Sequence, residues 1–135
     1  MSTSLKLSVL SPERRLVENV VVEEVTLPGT EGQIQVLPGH APMIGSLETG
    51  AFSFKLAGGQ ETKGVISTGF FQVKDDQLTI MAETLELRTE IDLSRAKRAQ
   101  EIAEQVLREA DLDEHRFKKY QLKLQRALIR QQVAS

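Results

Sequence analysis

The segment from Leu27 to Pro42 reads LPGTEGQIQVLPGHAP and gives the strongest indication of the fold. Two Leu-Pro-Gly triplets enclose a short apolar segment, and the second triplet leads directly into His-Ala-Pro. Proline fixes φ at one turn position and glycine supplies a positive φ at the next, so Pro28-Gly29 and Pro38-Gly39 each predict a tight reversal. Gly32 adds another permissive position between them. The chain is therefore expected to fold back twice here, as in an all-β domain.

Segments with strand character lie on both sides of this stretch. Leu5, Leu7 and Val9 alternate with polar residues, which is the period of two expected of a strand with one buried face. Apolar segments separated by turn signals such as Gly58-Gly59 and Asp75-Asp76 predict further strands over residues 20–27, 33–37, 52–57, 65–73 and 78–82. Short strands at this spacing predict an antiparallel β-sandwich, or flattened barrel, over residues 1–88.

The last third of the chain has helical periodicity. No Gly or Pro occurs after Gly69, and Asp92 is a predicted N-cap. The apolar stripe that follows, as far as Ala110, is rich in alanine, so a second helix can approach closely while little apolar area is buried. The Asp111–Asp113 segment interrupts the pattern before a second helix. We predict an αα-hairpin over residues 89–135 and an α+β fold for the chain.

Composition argues against an enzyme. The chain has no cysteine, which excludes disulfides, thiolate zinc sites and a cysteine nucleophile. Its two histidines, His40 and His115, lie in no zinc motif, and no serine stands in a G-x-S-x-G context. The nearest match to a phosphate-binding loop, residues 45–50, lacks the following Lys-Ser/Thr, and Gly45 and Gly50 are interpreted as turn residues. No apolar run suits a signal peptide or a membrane span, so any membrane contact is expected to go through partners.

Charge is unevenly distributed along the chain. The net charge is −2, but residues 1–91 carry 7 basic and 12 acidic side chains, whereas residues 92–135 carry 10 and 7. Within the predicted second helix a single acid, Glu114, accompanies six cations: Arg116, Lys118, Lys119, Lys123, Arg126 and Arg130. This asymmetry favours an anionic partner for the tail. Two interpretations stay open, a static helix pair and a detachable one.

These motifs closely resemble the epsilon subunit of the F-type ATP synthase, which has the same LPG-x-x-G followed by LPGHAP. Residues 68–73 resemble the family's Gly-Gly-Phe-x-x-Val strand, with Thr68 at the first glycine, and residues 78–83 resemble the strand that closes its β domain. Residues 91–96, IDLSRA, resemble the start of its helical tail. The resemblance covers nearly the whole chain. It implies a non-catalytic rotor subunit of the central stalk that couples proton-driven rotation to ATP synthesis.

The resemblance also implies partners. The β domain would contact the gamma subunit and the ring of c subunits, with Glu31, His40, Pro42 and Met43 among the rotor contacts. The extended second helix would contact the catalytic beta subunit and inhibit ATP hydrolysis through its six cations. The implied location is the cytoplasmic face of a bacterial plasma membrane, held there by the complex, although a chloroplast-encoded origin stays open.

Some family members bind ATP in the folded hairpin, and the matching residues are present. They are Ile91, Asp92 and Arg95 on the first helix, Arg126 and Arg130 on the second, and Glu86 before the first motif. Ile102 stands where strong binders have an arginine, so the resemblance implies weak regulatory ATP and no required cofactor. In a second interpretation the same arginines face solvent or a protein partner.

An alternative class of function is a free-standing β-sandwich module whose basic helix binds an anionic partner. The chain has only five Phe and one Tyr, so a platform for stacking nucleic-acid bases has little support, and we expect no nucleic-acid partner. A steep salt dependence of binding to random DNA would favour this alternative.

Overall fold

The structure is a computed structural model that describes residues 4–135, and the chain divides into two compact units between Leu87 and Arg88. The first unit is built from strands: β1 (Leu5–Leu10), β2 (Arg15–Gly29), β3 (Gly32–Val36), β4 (Met43–Leu47), β5 (Gly50–Leu56), β6 (Glu61–Ile66), β7 (Gly69–Lys74), β8 (Gln77–Ala82) and β9 (Leu85–Leu87). The second contains a 3-10 turn (Arg88–Glu90) and two helices, α1 (Leu93–Leu107) and α2 (Glu114–Ala134). The predicted order, β domain and then two helices, is confirmed.

The strands form a flattened barrel that closes through β2. Strands β1, β8, β7, β4 and β2 pair in that order, and β2 returns to β1. Beyond this circuit β2 also pairs with β3 and with β5, which continues to β6 and β9. The 15 residues of β2 are long enough to serve both layers. Every strand pairing among residues 4–135 is antiparallel, as predicted, except that of β1 with β8, which is parallel.

The core lies between the layers of the first unit. Alternation buries Leu5, Leu7 and Val9 completely, as their spacing predicted. Phe52 and Phe54 stack with their ring centroids 6.2 Å apart. The buried cluster is drawn from residues 5–85 alone, so the β domain has its own hydrophobic core.

The prediction of the strands and turns needed correction in several places. Residues 65–73 form two strands instead of one, because the chain turns at Ser67 and Thr68, where the Thr84 N–H donates to Ser67 Oγ at 2.8 Å. Strands β4 and β9 carried too few β-branched or aromatic residues to be predicted. Gly45 lies inside β4 and Gly50 starts β5, so neither is a turn residue. Glycine is needed at position 45 because a Cβ there would stand 2.5 Å from the Phe71 ring.

The two Leu-Pro-Gly triplets adopt different structures. At Pro38-Gly39 the turn is present: Gly39 has φ of 86° and the His40 N–H donates to the Leu37 carbonyl at 3.1 Å. At Pro28-Gly29 the prediction was wrong, because both residues belong to β2 and the chain reverses one residue later. Gly29 is required there because a Cβ would lie 2.7 Å from the Gly32 carbonyl oxygen.

The helical unit is an antiparallel hairpin with a small-residue seam. Asp92 caps α1, as predicted, accepting from the Arg95 N–H at 3.1 Å, and Asp113 caps α2, accepting from the Arg116 N–H at 2.7 Å. α1 ends at Leu107, before Ala110, the predicted end of its stripe. The buried residues of the helices are Ala96, Ala103, Val106 and Ala127. Gln131 Nε2 donates to Gln100 Oε1 at 2.7 Å, which fixes the register of the two helices.

Candidate functional site

The loop of residues 37–42 between β3 and β4 is held by hydrogen bonds at two levels. Within the loop, His40 Nδ1 donates to the Ala41 carbonyl at 2.7 Å, which turns the half-buried imidazole back onto its own backbone. Over a longer range, the Gly39 N–H donates to Asp76 Oδ1 at 2.6 Å. The loop leads into exposed Pro42 and Met43, so three of the predicted rotor contacts form one contiguous surface.

Glu31, the fourth predicted rotor contact, lies at the other end of β4. It stands exposed in the β2–β3 turn, beside Thr30, whose N–H donates to the Ser46 carbonyl at 3.2 Å. The Thr30 and Ser46 hydroxyls also share a hydrogen bond of 2.9 Å. Ser46 is three residues from Met43 along the strand, a rise of about 10 Å. The structure therefore divides the predicted contacts into two places on one layer.

Between these places the outer face of the barrel carries an apolar patch that the sequence analysis missed. It consists of Ile44, Phe70 and Met81, which are 73%, 52% and 44% exposed. Phe70 on β7 is paired with Met81 on β8 and with Ser46 on β4. Ile44 is two residues before Ser46 in β4, so Ile44, Phe70 and Met81 lie on the same face of the sheet. The sequence does contain a signal for this patch, because each of the three residues has another large apolar residue as its neighbour. In a strand, one of two such neighbours must point outward.

A groove of about 840 Å³ opens beside this apolar patch. Phe70, Met81, Leu10 and Pro12 supply apolar walls. Charged side chains from the β1–β2 connection and the end of β8 line the same groove, namely Glu13, Arg14, Arg15 and Glu83. An apolar centre with charged edges is the anatomy of a protein-binding surface.

The first half of α2 concentrates exposed cations around one aromatic ring. Arg116 Cζ lies 5.2 Å from the Tyr120 ring centroid, Lys119 Nζ lies 5.9 Å away and Lys123 Nζ lies 4.9 Å away. Ion pairs with Glu109 at 3.5 Å and Glu114 at 3.2 Å engage Arg116 and Lys118. Such exposed pairs contribute little energy, so these four cations can exchange partners readily.

Arg126 and Arg130 differ from the other four predicted contacts. Both are half-buried, and Arg126 Nε is shielded from solvent without a hydrogen-bond partner among the described residues. A buried guanidinium nitrogen without an acceptor is costly, and an anionic oxygen would remove that cost. The six cations therefore form two groups, an exposed group toward the start of α2 and a half-buried pair toward its end.

The structure brings only some of the residues predicted to bind ATP close together. Asp92 already accepts its cap hydrogen bond, Ile91 is half-buried and Arg95 is exposed. The Gln100–Gln131 contact puts Arg95 level with the end of α2, so roughly 10 to 15 Å along the helix axes separate it from Arg126 and Arg130. Glu86 lies in β9 of the first unit. An elongated ligand could span the arginines, whereas a single phosphate could not.

Two features are absent from residues 4–135. No group of three His, Cys, Asp or Glu side chains is placed to hold a metal ion. Neither described helix combines the length and the apolar character needed to cross a bilayer.

Sequence comparison agrees with this two-part architecture. Residues 4–88 match the profile of the beta-sandwich domain of the ATP synthase delta/epsilon chain, and residues 89–135 match the profile of its long alpha-helix domain. The chain belongs to the ATP synthase delta/epsilon family. Among curated members, the ATP synthase epsilon chain of Trichlorobacter lovleyi is 40% identical over 134 residues, covering 99% of this chain and 96% of that one. That of Geotalea uraniireducens is 38% identical over 135 residues, covering 100% and 96%.

Solved structures share the fold. A chain of the Euglena gracilis mitochondrial ATP synthase superposes with a TM-score of 0.85 at 24% identity, covering 93% of this chain and 78% of that chain. A chain from the central stalk and c-ring of the Tetrahymena thermophila mitochondrial ATP synthase superposes with a TM-score of 0.68 at 10% identity, covering 97% and 96%. At these identities the likeness establishes the fold alone.

Proposed function

We propose that this chain is a non-catalytic rotor subunit of the central stalk of an F-type ATP synthase. The observation that carries the proposal is the match of both domains to one family, with 40% identity to an epsilon chain over nearly its whole length. As a stalk subunit it would transmit proton-driven rotation to the catalytic sector without turnover of its own. The bacterial source of these relatives supports a peripheral location on the cytoplasmic face of the plasma membrane, with membrane contact through the complex.

The β domain, residues 1–88, is proposed to bind the rotor at two places. The His40 loop, with Pro42 and Met43, continues into the apolar patch and its groove, and together they suit the extended surface of the gamma subunit. Glu31, at the other end of β4, is proposed to contact the c-ring. Two separate partners would account for predicted contacts at both ends of β4.

The helical domain, residues 89–135, is proposed to inhibit ATP hydrolysis when it opens. Its seam is largely alanine and buries little apolar area, so the hairpin can open at modest cost. The exposed cations around Tyr120 suit an acidic segment of the catalytic beta subunit. Arg126 and Arg130, half-buried in the hairpin, would join that contact only after opening.

In the closed hairpin the same two arginines are proposed to bind ATP weakly, together with Ile91, Asp92, Arg95 and Glu86. The Nε of Arg126, which has no hydrogen-bond partner within residues 4–135, supports an anionic ligand. Ile102 removes one charge-assisted contact, which weakens binding by about tenfold or more. ATP would then favour the closed state, because the open state gives up the arginine pair.

The proposal is tested by ATP hydrolysis in a catalytic sector depleted of its epsilon subunit. We expect the whole chain to bind and inhibit, and a truncation after Ile91 to bind without inhibiting. Reversing Lys119 and Lys123 to Glu should abolish most of the inhibition, because both cations lie on the exposed Tyr120 face. Reversing exposed Lys97 and Arg98 on α1 changes the net charge equally and should leave inhibition intact.

Each outcome has a distinct meaning. Binding without inhibition by the whole chain would retain the rotor role and reject the inhibitory tail. No binding at all would reject the rotor role and return the alternative, a free-standing module with a basic helix. That alternative has no support from the comparisons, in which both domains match the same family.

A further inference from the structure

The turn between β7 and β8 holds two of the three non-glycine residues with positive φ among residues 4–135. Asp75 has φ of 51° and Asp76 has φ of 57°, and the flanking Lys74 and Gln77 close the turn as a strand pair. Two successive left-handed residues define a type I′ turn, for which Asn-Gly is the favoured pair. Aspartate is one of the few side chains that tolerate positive φ, and at the second position the carboxylate also makes a long-range interaction.

Asp76 makes that interaction with the His40 loop. Its Oδ1 accepts from the Gly39 N–H at 2.6 Å, across 37 residues of sequence. A bond from a backbone amide to a carboxylate is charge-assisted, and therefore stronger than an ordinary peptide hydrogen bond.

Asp76 is itself fixed by the barrel. Its carbonyl accepts from the Lys6 N–H of β1 at 2.9 Å, so the turn is tied to the parallel β1–β8 pair. The carboxylate thus stands on a rigid support and reaches into an exposed loop. Without it, the loop would keep the local His40–Leu37 hydrogen bond and lose its anchor to the sheet.

We propose that Asp76 is a positioning residue that holds the loop of residues 37–42 in the conformation that presents His40, Pro42 and Met43 to the rotor. This role rests on the proposed rotor function. Asp76 acts through the Gly39 backbone, and Asp75, with the same side chain and nearly the same φ, is not the acceptor of that bond.

The near-identity of the two aspartates supplies a matched control. Asp76→Ala and Asp75→Ala each remove one carboxylate and each place alanine at positive φ, so they share the backbone cost, and only Asp76→Ala also removes the hydrogen bond to Gly39. Only Asp76→Ala should release the loop, with Gly39 amide hydrogen exchange about ten- to a hundredfold faster. Asp76→Asn keeps an acceptor oxygen and tolerates positive φ, so it should stay within a few-fold of wild type.

Binding of the full-length variants to a purified complex of the gamma subunit and the c-ring completes the test. We expect Asp76→Ala to bind about tenfold more weakly, and Asp75→Ala and Asp76→Asn to bind nearly as wild type. Equal exchange at Gly39 in the two alanine variants would overturn the inference while leaving the rotor function untouched. Faster Gly39 exchange in Asp76→Ala with unchanged binding would show that Asp76 holds the loop but that the loop conformation does not affect binding to the gamma subunit and the c-ring, which would overturn the proposed role. Failure of the wild type to bind would contradict the rotor function, and with it this role, whatever the exchange rates.

Discussion

Gly39 illustrates how a single backbone angle supports the candidate rotor surface. Its φ of 86° lies in a region that residues with a side chain rarely adopt, yet apart from its chain neighbours no atom of residues 4–135 lies within 4 Å of where a Cβ would stand. The demand for glycine is therefore conformational and not steric. The same residue donates the hydrogen bond to Asp76, so its geometry determines how the His40 loop meets the barrel.

Gly39→Ala should lower the free energy of unfolding by about 1 kcal/mol, because alanine at positive φ is strained. Gly58→Ala is the control, since Gly58 also has open space around it and does not have a positive φ. It should be neutral or stabilising by up to about 1 kcal/mol, through the reduced entropy of the unfolded chain. Urea denaturation of both variants measures the difference. Equal effects would mean that the turn does not require positive φ.

The two Leu-Pro-Gly triplets show what local sequence can and cannot decide. Pro38-Gly39 is governed by its own dihedral preferences, and the predicted turn is found. Pro28-Gly29 is governed by its neighbours: Gly29 pairs with Gly32, and Gly50 packs against Pro28. Identical triplets thus differ through contacts with distant residues, which turn chemistry alone cannot reveal.

Among the strands, β4 connects the parts of the proposed rotor surface. It starts at the His40 loop, exposes Ile44, and ends beside the turn that carries Glu31. Residues at both ends of this strand were predicted from the sequence as rotor contacts, but the strand itself was not predicted. Gly45 and Ser46 give it low β-propensity, and its outward-facing side becomes visible only once β7 and β8 are placed beside it.

Ile44→Ser and Phe70→Ser should each weaken binding to the gamma subunit by about 1 to 3 kcal/mol, as expected for central apolar residues of an interface. Because both side chains are more than half exposed, thermal stability should change little. Ile102→Ser, on α1, is the control, since Ile102 is 49% exposed and lies in the other unit. Calorimetric titration measures the affinities. Equal affinity of all three variants would exclude the apolar patch from the interface.

The two helices of the hairpin were predicted well from the sequence, but the division of the six cations of α2 into two groups was not predicted. Helical period, the Asp92 cap and the Asp111–Asp113 break all follow from local chemistry, and each has its counterpart in the structure. The separation of Arg126 and Arg130 from the exposed cations depends on register, which the Gln100–Gln131 contact sets. Register between helices is a tertiary property, so the six cations appeared equivalent in the sequence.

At the scale of the whole molecule, the proposed regulation is an equilibrium between a closed hairpin and an open, inhibitory one. Reversing such an equilibrium from 1:99 to 99:1 requires about 5.5 kcal/mol of differential binding. The beta subunit would supply part of it by binding the open state, and ATP would oppose it by binding the closed state. Linkage makes the two effects reciprocal: the factor by which ATP weakens the binding of the open hairpin to the beta subunit is the factor by which that binding weakens ATP affinity.

Ile102→Arg tests this linkage directly. The residue is half exposed and follows Arg95 by two helical turns, so a guanidinium at position 102 lies on the same side of α1 and can reach the same anionic ligand. The variant should bind ATP about tenfold more tightly, and ATP should relieve inhibition at a correspondingly lower concentration. Gln105→Arg adds the same charge at another exposed position of α1 and should change neither quantity. A ligand that favours the closed state must oppose any contact that requires the open state. Tighter ATP binding without relief of inhibition would therefore show that ATP binding and the inhibitory contact are independent.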